Sequence, residues 1–587
     1  METILHRLKN WADSSPSDIA QRFKVNGVWQ NITAQEMWER VYHLCLFLES
    51  KGMSTQDVGC IFSPNNAQWV HVDLATVLLG AKSAGLYPNA NAKDVKYILE
   101  HTESRFISVY NREFFDKVAI PERTQVILVF DGSADFHPRA ISYRDALAAG
   151  ERLAGRAKAG SEYLKSLDPD APAFMIYTSG TTGNPKGALL SNDNLCYTSD
   201  LVIRYWDLPK VGSLFSFLPL CHVAEKLQCI GVGISRQYTV SYCTKFDNLM
   251  VELPEVEPTL LLCVPRLWEK MMEGVLGKVN RSEGAKKKLA LWALEVGAQA
   301  AEIKYAKKTP ALSDFLRLKI ADRLVLSKIR KALGLGRAEC LASGAAALPA
   351  HVSKWFRSLQ LEILEDFGQT ESTGVISMTE RGVDAAGTVG KVLPGIEMRI
   401  AEDGEVLTRG RNVFKGYYKD EAALAQVLEK DGWLHTGDLG EIDARGFLKI
   451  RGRKKEILKT SGGKMIAPLP IEEALKTSAI ISQVCIVGDG RKYLSALVTL
   501  SEAKLADLKT QGCLGQATVS DPKTLEAVKF QMDKINSELA GYEQIKRFTV
   551  LSREFSIVEG EMTPTLKMKR NVIENNYRAV IDGMYQG

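Results

Sequence analysis

Short apolar runs alternate with longer stretches of helical periodicity through most of the chain before residue 440. The runs are rich in β-branched and aromatic residues and have the length of buried strands. They occupy residues 105–110, 125–130, 173–177, 237–243 and 259–264. Residues 67–82 have helical spacing and follow Asn65 and Asn66, which are residues that favour the start of a helix. This alternation predicts α/β layers rather than a β-sandwich or a helical bundle.

The size and the charge balance exclude several classes of protein. Of the 587 residues, 45% are hydrophobic, which is enough for a large core and several domains. The 75 Lys and Arg residues nearly balance the 70 Asp and Glu residues, which leaves a net charge of +5. This balance argues against a nucleic-acid-binding protein and against an acidic tail. Gly, Pro and Ser form no long tracts, so disorder of the whole chain is excluded.

The cysteines and the two ends of the chain carry no metal-binding or export signal. None of the ten cysteines is spaced as C-x-x-C or lies in a zinc-binding pattern, so we expect reduced, mostly buried thiols. The first residues lack the apolar segment of a secretory signal, and the last residues match neither a prenylation box nor a peroxisomal address. No apolar run reaches the length of about 18 residues that a membrane span requires. We therefore expect a soluble, cytoplasmic protein, with peripheral contact to a membrane left open.

Two segments interrupt the alternation of strands and helices. Residues 278–337 have helical periodicity and carry 15 Lys and Arg against 5 Asp and Glu, a surplus that exceeds the net charge of the whole chain. A basic amphipathic insertion of this kind either contacts anionic lipid or is an ordinary solvated helical face. The second interruption is a turn-rich stretch at 443–446, followed by a basic run. There we place the boundary between an N-terminal domain (1–443) and a smaller C-terminal domain (444–587).

A loop rich in glycine and hydroxyl side chains follows one of the predicted strands. Residues 177–192 read YTSGTTGNPKGALLSN. Glycines allow backbone N–H groups to converge on an anion, and hydroxyl groups add further donors. Lys186 adds a mobile positive charge, and because Gly187 follows it, the loop is not a Walker A sequence. A surface turn has no need of six consecutive Ser, Thr and Gly residues, so the loop is predicted to bind phosphate.

Four further motifs follow in order, at residues 366–371 (DFGQTE), 432–438 (GWLHTGD), 452–456 (GRKKE) and 563–570 (TPTLKMKR). Together with the phosphate loop they make the chain resemble the adenylate-forming superfamily of acyl-CoA synthetases over nearly its full length. Residues 265–270 (PRLWEK), followed by a long helical insertion, are similar to the long-chain and very-long-chain fatty acyl-CoA synthetases.

The resemblance implies a fold and a reaction. The fold would be a large, multi-layer α/β domain, carrying the basic insertion, and a smaller mobile α+β domain, with the active site between them. A fatty carboxylate would attack the α-phosphorus of ATP, giving acyl-AMP and pyrophosphate, and the thiol of coenzyme A would then displace AMP. The partners implied are a fatty acid, ATP with Mg²⁺, and CoA, without nucleic acid. The oligomeric state is not indicated.

The resemblance also assigns nucleotide-binding residues by position. Phe367 stands where the family usually has tyrosine, so the ring that packs on adenine is kept without its hydroxyl. Ala347 replaces a proline that is frequent in the opposite wall of the adenine site. The phosphates would contact Thr178, Ser179, Gly180, Thr181, Thr182, Gly183 and Lys186, and the adenine site would be formed by Phe367 with Gly344 and Ala345. Asp366, Gly368, Gln369 and Thr370 would also bind the nucleotide. The ribose would contact Asp438 and Arg453, with Lys455 at the hinge.

The same resemblance assigns catalytic roles. Glu371 would bind Mg²⁺ together with Thr178. Lys567 would bridge the carboxylate and the α-phosphate, although the register leaves Lys569 as an alternative. His222 would lie beside the substrate carboxylate, unless it is a core histidine. The thioester step would use Lys459, Gly462 and Gly463, the glycines in a strand that approaches acyl-AMP closely. Candidate residues for the acyl tunnel are Val223, Ile230, Val232 and the strand at 259–264.

Three alternatives remain beside fatty acyl-CoA synthesis. The enzyme could pass its acyl-AMP to a carrier protein, or activate a carboxylic acid that is not a fatty acid. A non-catalytic binding module would be expected to have lost Lys186, Glu371, Asp438 or Lys567, and all four are present. Acyl chain length cannot be predicted, since one methylene changes binding by only about 1–3 kcal/mol.

Overall fold

The computed structural model describes residues 2–178, 184–478, 480–510, 512, 515, 518–563 and 565–586. The nine cysteines among them are buried free thiols, and Cys513 lies outside the described residues. In this part of the chain, no helix combines the length and apolar character needed to cross a bilayer. The predicted phosphate-loop residues Ser179, Gly180, Thr181, Thr182 and Gly183 also lie outside the described ranges.

The strands are β1 (Ile19–Val25), β2 (Val28–Thr33), β3 (Val58–Phe62), β4 (Lys82–Leu86), β5 (Phe106–Val109), β6 (Val126–Val129), β7 (Ala140–Ser142), β8 (Pro172–Thr178), β9 (Lys186–Ser191), β10 (Ser213–Ser216), β11 (Thr239–Tyr242), β12 (Leu260–Cys263), β13 (Cys340–Ser343), β14 (Ile363–Phe367), β15 (Ser377–Met378), β16 (Lys391–Val392), β17 (Glu397–Ile400), β18 (Glu405–Arg409), β19 (Gly416–Tyr417), β20 (Leu434–Ile442), β21 (Leu448–Arg453), β22 (Leu458–Lys459), β23 (Met465–Ile466), β24 (Ile481–Val487), β25 (Leu494–Leu500) and β26 (Ile545–Val550).

The helices are α1 (Ile4–Ser14), α2 (Ala34–Ser50), α3 (Ala67–Leu78), α4 (Ala92–Thr102), α5 (Arg112–Phe115), α6 (Tyr143–Ala154), α7 (Gly160–Ser166), α8 (Asn192–Tyr205), α9 (Val223–Glu225), α10 (Gly233–Arg236), α11 (Leu249–Val256), α12 (Pro265–Arg281), α13 (Gly284–Tyr305), α14 (Leu312–Ala321), α15 (Ser327–Ala332), α16 (Ala350–Ser358), α17 (Glu421–Ala425), α18 (Pro468–Leu475), α19 (Glu502–Thr510), α20 (Pro522–Asn536), α21 (Arg570–Asn576) and α22 (Arg578–Gly583).

The five predicted strands are present as β5, β6, β8, β11 and β12, with ends that shift by one or two residues. The helix predicted at 67–82 is capped by the side chain of Asn66, which accepts a hydrogen bond from the N–H of Trp69. It ends at Leu78 rather than at residue 82, because Gly80 adopts a left-handed φ of 84° and turns the chain into β4.

Two large sheets form the N-terminal part of the molecule. One has the order β16-β15-β14-β13-β12-β10-β11-β1-β2, and the strands from β14 to β1 are parallel. The other has the order β19-β9-β8-β4-β3-β5-β6-β7, parallel from β8 to β7. Residues of both sheets join one buried cluster with α2, α3 and α8, so helices pack between the sheets. The predicted α/β layers are confirmed.

Three smaller sheets lie in the rest of the described chain, and the smallest of them is the pair β22-β23. A four-stranded sheet has the order β17-β18-β20-β21, and a three-stranded sheet, β24-β25-β26, forms a separate core with α18 and α20. Residues 443–446, where the sequence placed the domain boundary, form the turn between β20 and β21, which pair from Asp438 with Arg453 to Ile442 with Leu448. A boundary at 443 would divide this hairpin. We therefore propose that the division falls after Arg453, in the short 3₁₀ turn Lys454–Glu456.

Candidate active site

Several predicted site residues lie just beyond the carboxyl ends of neighbouring parallel strands. In the large sheet, β10 leads towards His222, β13 leads to Gly344, and β14 ends at Phe367. The carboxyl ends of parallel strands meet at one edge of a sheet, where α/β proteins bind their ligands. The fold therefore gathers residues that are far apart in the sequence.

The phosphate loop connects the two strands of an antiparallel hairpin. Thr178 at the end of β8 is paired with Lys186 at the start of β9, so both flank the loop at its base. The Lys186 ammonium lies 5.1 Å from the centre of the Tyr417 ring. The Tyr417 hydroxyl donates a hydrogen bond of 2.6 Å to Oε1 of Glu371. Tyr417 thus links the phosphate-loop lysine to the predicted metal ligand.

The predicted adenine wall depends on close backbone packing. A Cβ on Gly344 would lie 2.6 Å from Oδ1 of Asp366, and a Cβ on Gly368 would lie 2.4 Å from the carbonyl oxygen of Gly374. Neither position can accept a side chain without displacing its neighbour. Ala345 has a left-handed φ of 69°, which is uncommon for a residue with a side chain. Burial raises the pKa of Asp366 to about 7.

The rest of this wall is held by short polar contacts. Phe367 is half-buried and packs against the main core, which leaves part of its ring exposed. The backbone N–H of Gln369 donates a hydrogen bond of 3.0 Å to Oγ of Ser372 in the next turn. Thr370 is buried at the start of the following 3₁₀ turn. These contacts fix the backbone beside the adenine position.

The predicted ribose residues face each other across a strand pair. Asp438 and Arg453 are partners in the β20–β21 register, and Arg453 Nε lies 2.8 Å from Oδ1 of Asp438. The Asp438 side chain is buried, whereas Arg453 is exposed. Burial raises the pKa of Asp438, against the opposing effect of Arg453 and Lys567.

Lys567 of the C-terminal domain reaches this site. Its backbone N–H donates to Thr563 Oγ1 at 3.0 Å, and its carbonyl oxygen accepts from the Thr563 N–H at 2.8 Å, so a tight turn fixes its position. Burial of the ammonium group and the nearby charge of Arg453 lower the pKa of Lys567 to about 8, while Asp438 and Glu456 oppose the shift. Lys567 is thus a half-buried lysine and not a fully solvated one. Lys569 instead occupies the N-cap position of α21, where its side chain makes no capping hydrogen bond.

His222 lies beside the same lysine. Its Nδ1 accepts a hydrogen bond of 3.2 Å from the backbone N–H of Ala224, so the neutral ring carries its proton on Nε2. Burial and the charge of Lys567 lower the pKa of His222 to about 3. The histidine is therefore a neutral hydrogen-bond donor, positioned next to a cation from the other domain.

The residues predicted for the thioester step lie elsewhere. Gly462 and Gly463 are exposed in the turn between β22 and β23, and they are not part of a strand as predicted, because Gly463 has a left-handed φ of 78°. Lys459 is exposed, and its backbone bonds to Asp489 and Gly490 of the same domain. Lys455 is exposed in the 3₁₀ turn Lys454–Glu456, where we propose that the domains divide. The structure thus brings Lys567 to the nucleotide residues and leaves the Lys459 segment facing solvent.

Sequence reasoning missed three contributors. Tyr417 contacts Lys186 and Glu371, and Glu456 acts electrostatically on Lys567 and Asp438. Arg266, in the PRLWEK stretch, bonds to Glu554 and Ser482 of the C-terminal domain, each at 2.6 Å. Glu456 lies inside the GRKKE motif and could have been included, whereas Tyr417 carries only a Gly-Tyr-Tyr run as a signal.

The solved structures similar to this chain share its fold. The adenylation domain of a carboxylate reductase from Mycobacterium chelonae covers 100% of this chain with 91% of its own length, at a TM-score of 0.75 and 22% identity. ATP-bound MatB from Rhodopseudomonas palustris gives a TM-score of 0.72 at 21% identity, with 99% of this chain and 100% of that chain covered. The anthranilate CoA ligase AuaEII, in complex with anthranoyl-AMP, gives 0.73 at 16% identity, with 99% and 98% covered.

Two proteins found by comparison of sequences are more similar to this chain than these solved structures are. The long-chain-fatty-acid–CoA ligase FadD15 of Mycobacterium tuberculosis is 32% identical over 582 residues, which cover 97% of this chain and 95% of that protein. The long-chain-fatty-acid–CoA ligase ACSBG2 of Homo sapiens is 30% identical, with 95% and 88% covered. The family model described as AMP-binding enzyme matches residues 8–418, and the model of its C-terminal domain matches residues 455–587. The chain therefore belongs to the AMP-binding enzyme family, the adenylate-forming enzymes that its motifs resemble.

Proposed function

We propose that this enzyme activates a long-chain fatty acid as its CoA thioester, through an acyl-AMP intermediate. One observation supports the first step above all others: Lys567 of the small domain lies within electrostatic reach of His222, Asp438 and Arg453 of the large domain. The substrate class rests on relatives at 30–32% identity that are long-chain-fatty-acid–CoA ligases over nearly their full length.

In the first half-reaction two anions must meet, the fatty carboxylate and the triphosphate. We propose that Lys186 binds the outer phosphates and that Asp438 with Arg453 holds the ribose. Lys567 would lie between the carboxylate and the α-phosphate and offset their repulsion as the P–O bond forms. The neutral His222 would donate from Nε2 to the carboxylate, which orients one oxygen for attack without adding a charge. Pyrophosphate is the leaving group.

The residues present suit a magnesium ion that is bound mainly by substrate. Among the described residues, no three His, Cys, Asp or Glu side chains cluster as a metal site. Glu371 uses Oε1 to accept from Tyr417, which leaves Oε2 to bind a cation. Mg²⁺ commonly takes one or two carboxylates together with phosphate oxygens and water. Glu371 and the Thr178 hydroxyl would hold it, and it would neutralise phosphate charge when bound.

In the second half-reaction CoA must reach the acyl carbon that Lys567 now covers. We propose that the small domain rotates about Lys455 and presents Lys459, Gly462 and Gly463 instead. Their exposed position in a turn of that domain supports this order, since the backbone of this segment bonds to Asp489, Gly490 and Arg491 of the same domain. The thiol sulfur then bonds to the acyl carbon and AMP leaves.

We also propose a cytoplasmic location with peripheral contact to a membrane. The cysteines of the described ranges are buried free thiols, as in proteins of a reducing compartment. The substrate itself partitions into bilayers. The proposed partners are a fatty acid, ATP and CoA.

The deciding experiment measures pyrophosphate release with ATP, Mg²⁺ and saturated acids of increasing length, with and without CoA. We expect single-turnover pyrophosphate formation before CoA is added, with the highest kcat/KM for long chains. Pyrophosphate formation that requires CoA would contradict the two-step order. Pyrophosphate without any thioester from free CoA would identify an acyl-AMP ligase that serves a carrier protein.

A further inference from the structure

The outer side of helix α14 exposes a row of large apolar side chains. The helix and the π turn that follows it, Asp322–Leu326, carry the five residues of this apolar row, which are between 43% and 74% exposed. They are Leu312, Phe315, Leu316, Ile320 and Leu324. Single exposed apolar residues are common on soluble proteins, but a contiguous set of this size marks a binding surface.

Three basic residues lie on the same outer side. Arg317, Lys319 and Arg323 are exposed, and none of them forms an ion pair with another described residue. The Lys319 ammonium lies 4.9 Å from the centre of the Phe315 ring, within the apolar row. The acidic residues of this segment are engaged elsewhere, since Asp314 caps the Ala311 N–H and Asp322 pairs with Arg330. The outer side is therefore both apolar and cationic.

The opposite side of the segment is firmly attached to the protein. Ala321 and Leu326 are buried in an apolar cluster that also contains Leu267 and Trp268 of α12, and Leu318 packs against this cluster. The same cluster contains Leu261 of β12 and Leu218, which precedes His222. The helix is thus a fixed part of the large domain, next to the region proposed for the acyl chain, and only its inner side is accounted for.

We propose that the outer side of α14 docks on an anionic lipid bilayer. The apolar row would enter the boundary between headgroups and acyl chains, and the three basic residues would lie at the level of the lipid phosphates. Charge complementarity selects this partner, because a second copy of the same face would bring cations against cations. Delivery of a membrane-dissolved acid to the site is a reason for docking that rests on the proposed function.

The test uses the full chain and vesicles of phosphatidylcholine, with and without phosphatidylglycerol, at low and high salt. One variant removes the charges (Arg317→Glu, Lys319→Glu, Arg323→Glu), and another removes apolar contacts (Phe315→Gln, Leu316→Gln, Ile320→Gln), since glutamine keeps helix propensity. The matched control, Phe530→Gln with Lys534→Glu, changes one exposed apolar and one exposed basic residue on α20 of the small domain.

We expect the wild type and the control to sediment with phosphatidylglycerol vesicles at low salt and to release at high salt. The charge variant should lose at least about tenfold in partition coefficient, because each basic residue near an anionic surface contributes to binding. The apolar variant should bind more weakly at both salt concentrations. Absence of salt-sensitive binding by the wild type, or equal binding by both variants and the wild type, would overturn the proposal.

A second measurement separates this proposal from the proposed function. Ligase rates on a short, water-soluble acid without vesicles should be equal in all four proteins. With a long-chain acid supplied in phosphatidylglycerol vesicles, only the two α14 variants should be slower. A wild type that binds vesicles but forms no acyl-AMP would contradict the catalytic proposal and leave docking supported. A wild type that is fully active but does not bind vesicles would support the catalytic proposal and contradict docking.

Discussion

At the scale of single residues, Lys567 links the two halves of the site. Its turn, held by two hydrogen bonds with Thr563, places an ammonium group among residues of the other domain. Loss of one electrostatic stabiliser commonly costs about 10²–10³ in rate. We expect Lys567→Ala to reduce single-turnover acyl-AMP formation by that factor, while conversion of supplied acyl-AMP and CoA to thioester is retained.

The control for this prediction is the neighbouring Lys569→Ala, which removes a lysine side chain at the N-cap position of α21 that makes no capping hydrogen bond. It should leave both half-reactions near the wild-type rate. If Lys569→Ala loses adenylation and Lys567→Ala keeps it, the register assigned from the structure is incorrect.

The pKa of Lys567 gives a separate prediction for the pH dependence. The ammonium form is needed for adenylation, and the pKa of Lys567 in the folded protein is about 8. The kcat/KM for ATP, which reports the free enzyme, should therefore fall as the pH rises through about 8. The variant Lys567→Arg, whose side chain stays charged, should lack this decrease whatever its absolute rate. The same decrease in that variant would assign the titration to another group.

The same titration changes the stability of the fold in the opposite direction to the activity. The unfolded chain holds this proton up to the ordinary lysine range, whereas the folded protein releases it near pH 8. Between the two values the unfolded state binds more protons, so the free energy of unfolding rises with pH in that window. Burial of the Lys567 charge thus lowers the free energy of unfolding at neutral pH. A residue kept for its role in catalysis can carry such a cost.

The limits of sequence reasoning are clearest for Tyr417. The motifs assigned Lys186 and Glu371 because their spacing is local and their chemistry is explicit. Tyr417 contacts both only because β19 pairs with β9, and pairing between distant segments leaves no local pattern. The lowered pKa of Lys567 could not be predicted for the same reason, since Arg453 and Asp438 act on it from a distant part of the chain.

At the scale of elements, helix α12 carries an ion pair that crosses between domains. Arg266, in its first turn, bonds to Glu269 at 2.9 Å and to Glu554 of the small domain at 2.6 Å. The Arg266 side chain is 8% exposed and the Glu554 side chain is 16% exposed. The contact belongs to the arrangement that presents Lys567, and rotation of the small domain must break it. It is therefore expected to stabilise the adenylation arrangement.

We expect Glu554→Gln to slow acyl-AMP formation by about tenfold, because Arg266 loses its charged partner in the small domain and keeps only Glu269 and Glu273 on its own helix. Conversion of supplied acyl-AMP to thioester should be equal or faster. The control is Arg553→Met, which breaks the ion pair with Glu561 inside the small domain. A similar loss in both half-reactions, or in the control, would show a general effect on folding.

Predicted elements and observed elements differ mainly at their ends. Residues 67–82 were assigned to one helix because apolar spacing continues past Leu78, yet the left-handed Gly80 ends it and the following residues enter the sheet. The turn at 443–446 has the composition of a linker, but β20 and β21 pair on either side of it. Local composition predicts a turn and does not reveal whether the two flanking segments belong to one sheet.

At the scale of the whole molecule, the arrangement described corresponds to one of two proposed states. Lys455 lies in a 3₁₀ turn, whose φ a proline can adopt, so Lys455→Pro should tolerate this arrangement and restrict others. We expect acyl-AMP formation and ATP affinity to be nearly unchanged. Thioester formation from supplied acyl-AMP should fall by about tenfold, the factor for roughly 1.4 kcal/mol of added barrier.

The matched variant Lys455→Ala removes the same side chain without restricting the backbone, and it should retain both half-reactions. Loss of both half-reactions in the proline variant, together with ATP binding, would mean that the substitution disrupts folding. Equal thioester rates in the proline and alanine variants would place the pivot elsewhere.

The pairing of Asp438 with Arg453 has a mechanical consequence. Arg453 is the last residue of β21, and the linking turn begins at the next residue. The proposed ribose contact therefore lies directly beside the segment about which the small domain is proposed to rotate. A bound nucleotide would hold the β20–β21 strand pair rigid at the point where the linking turn starts. Departure of AMP would remove this contact, so the small domain would be free to change its orientation until the next ATP binds.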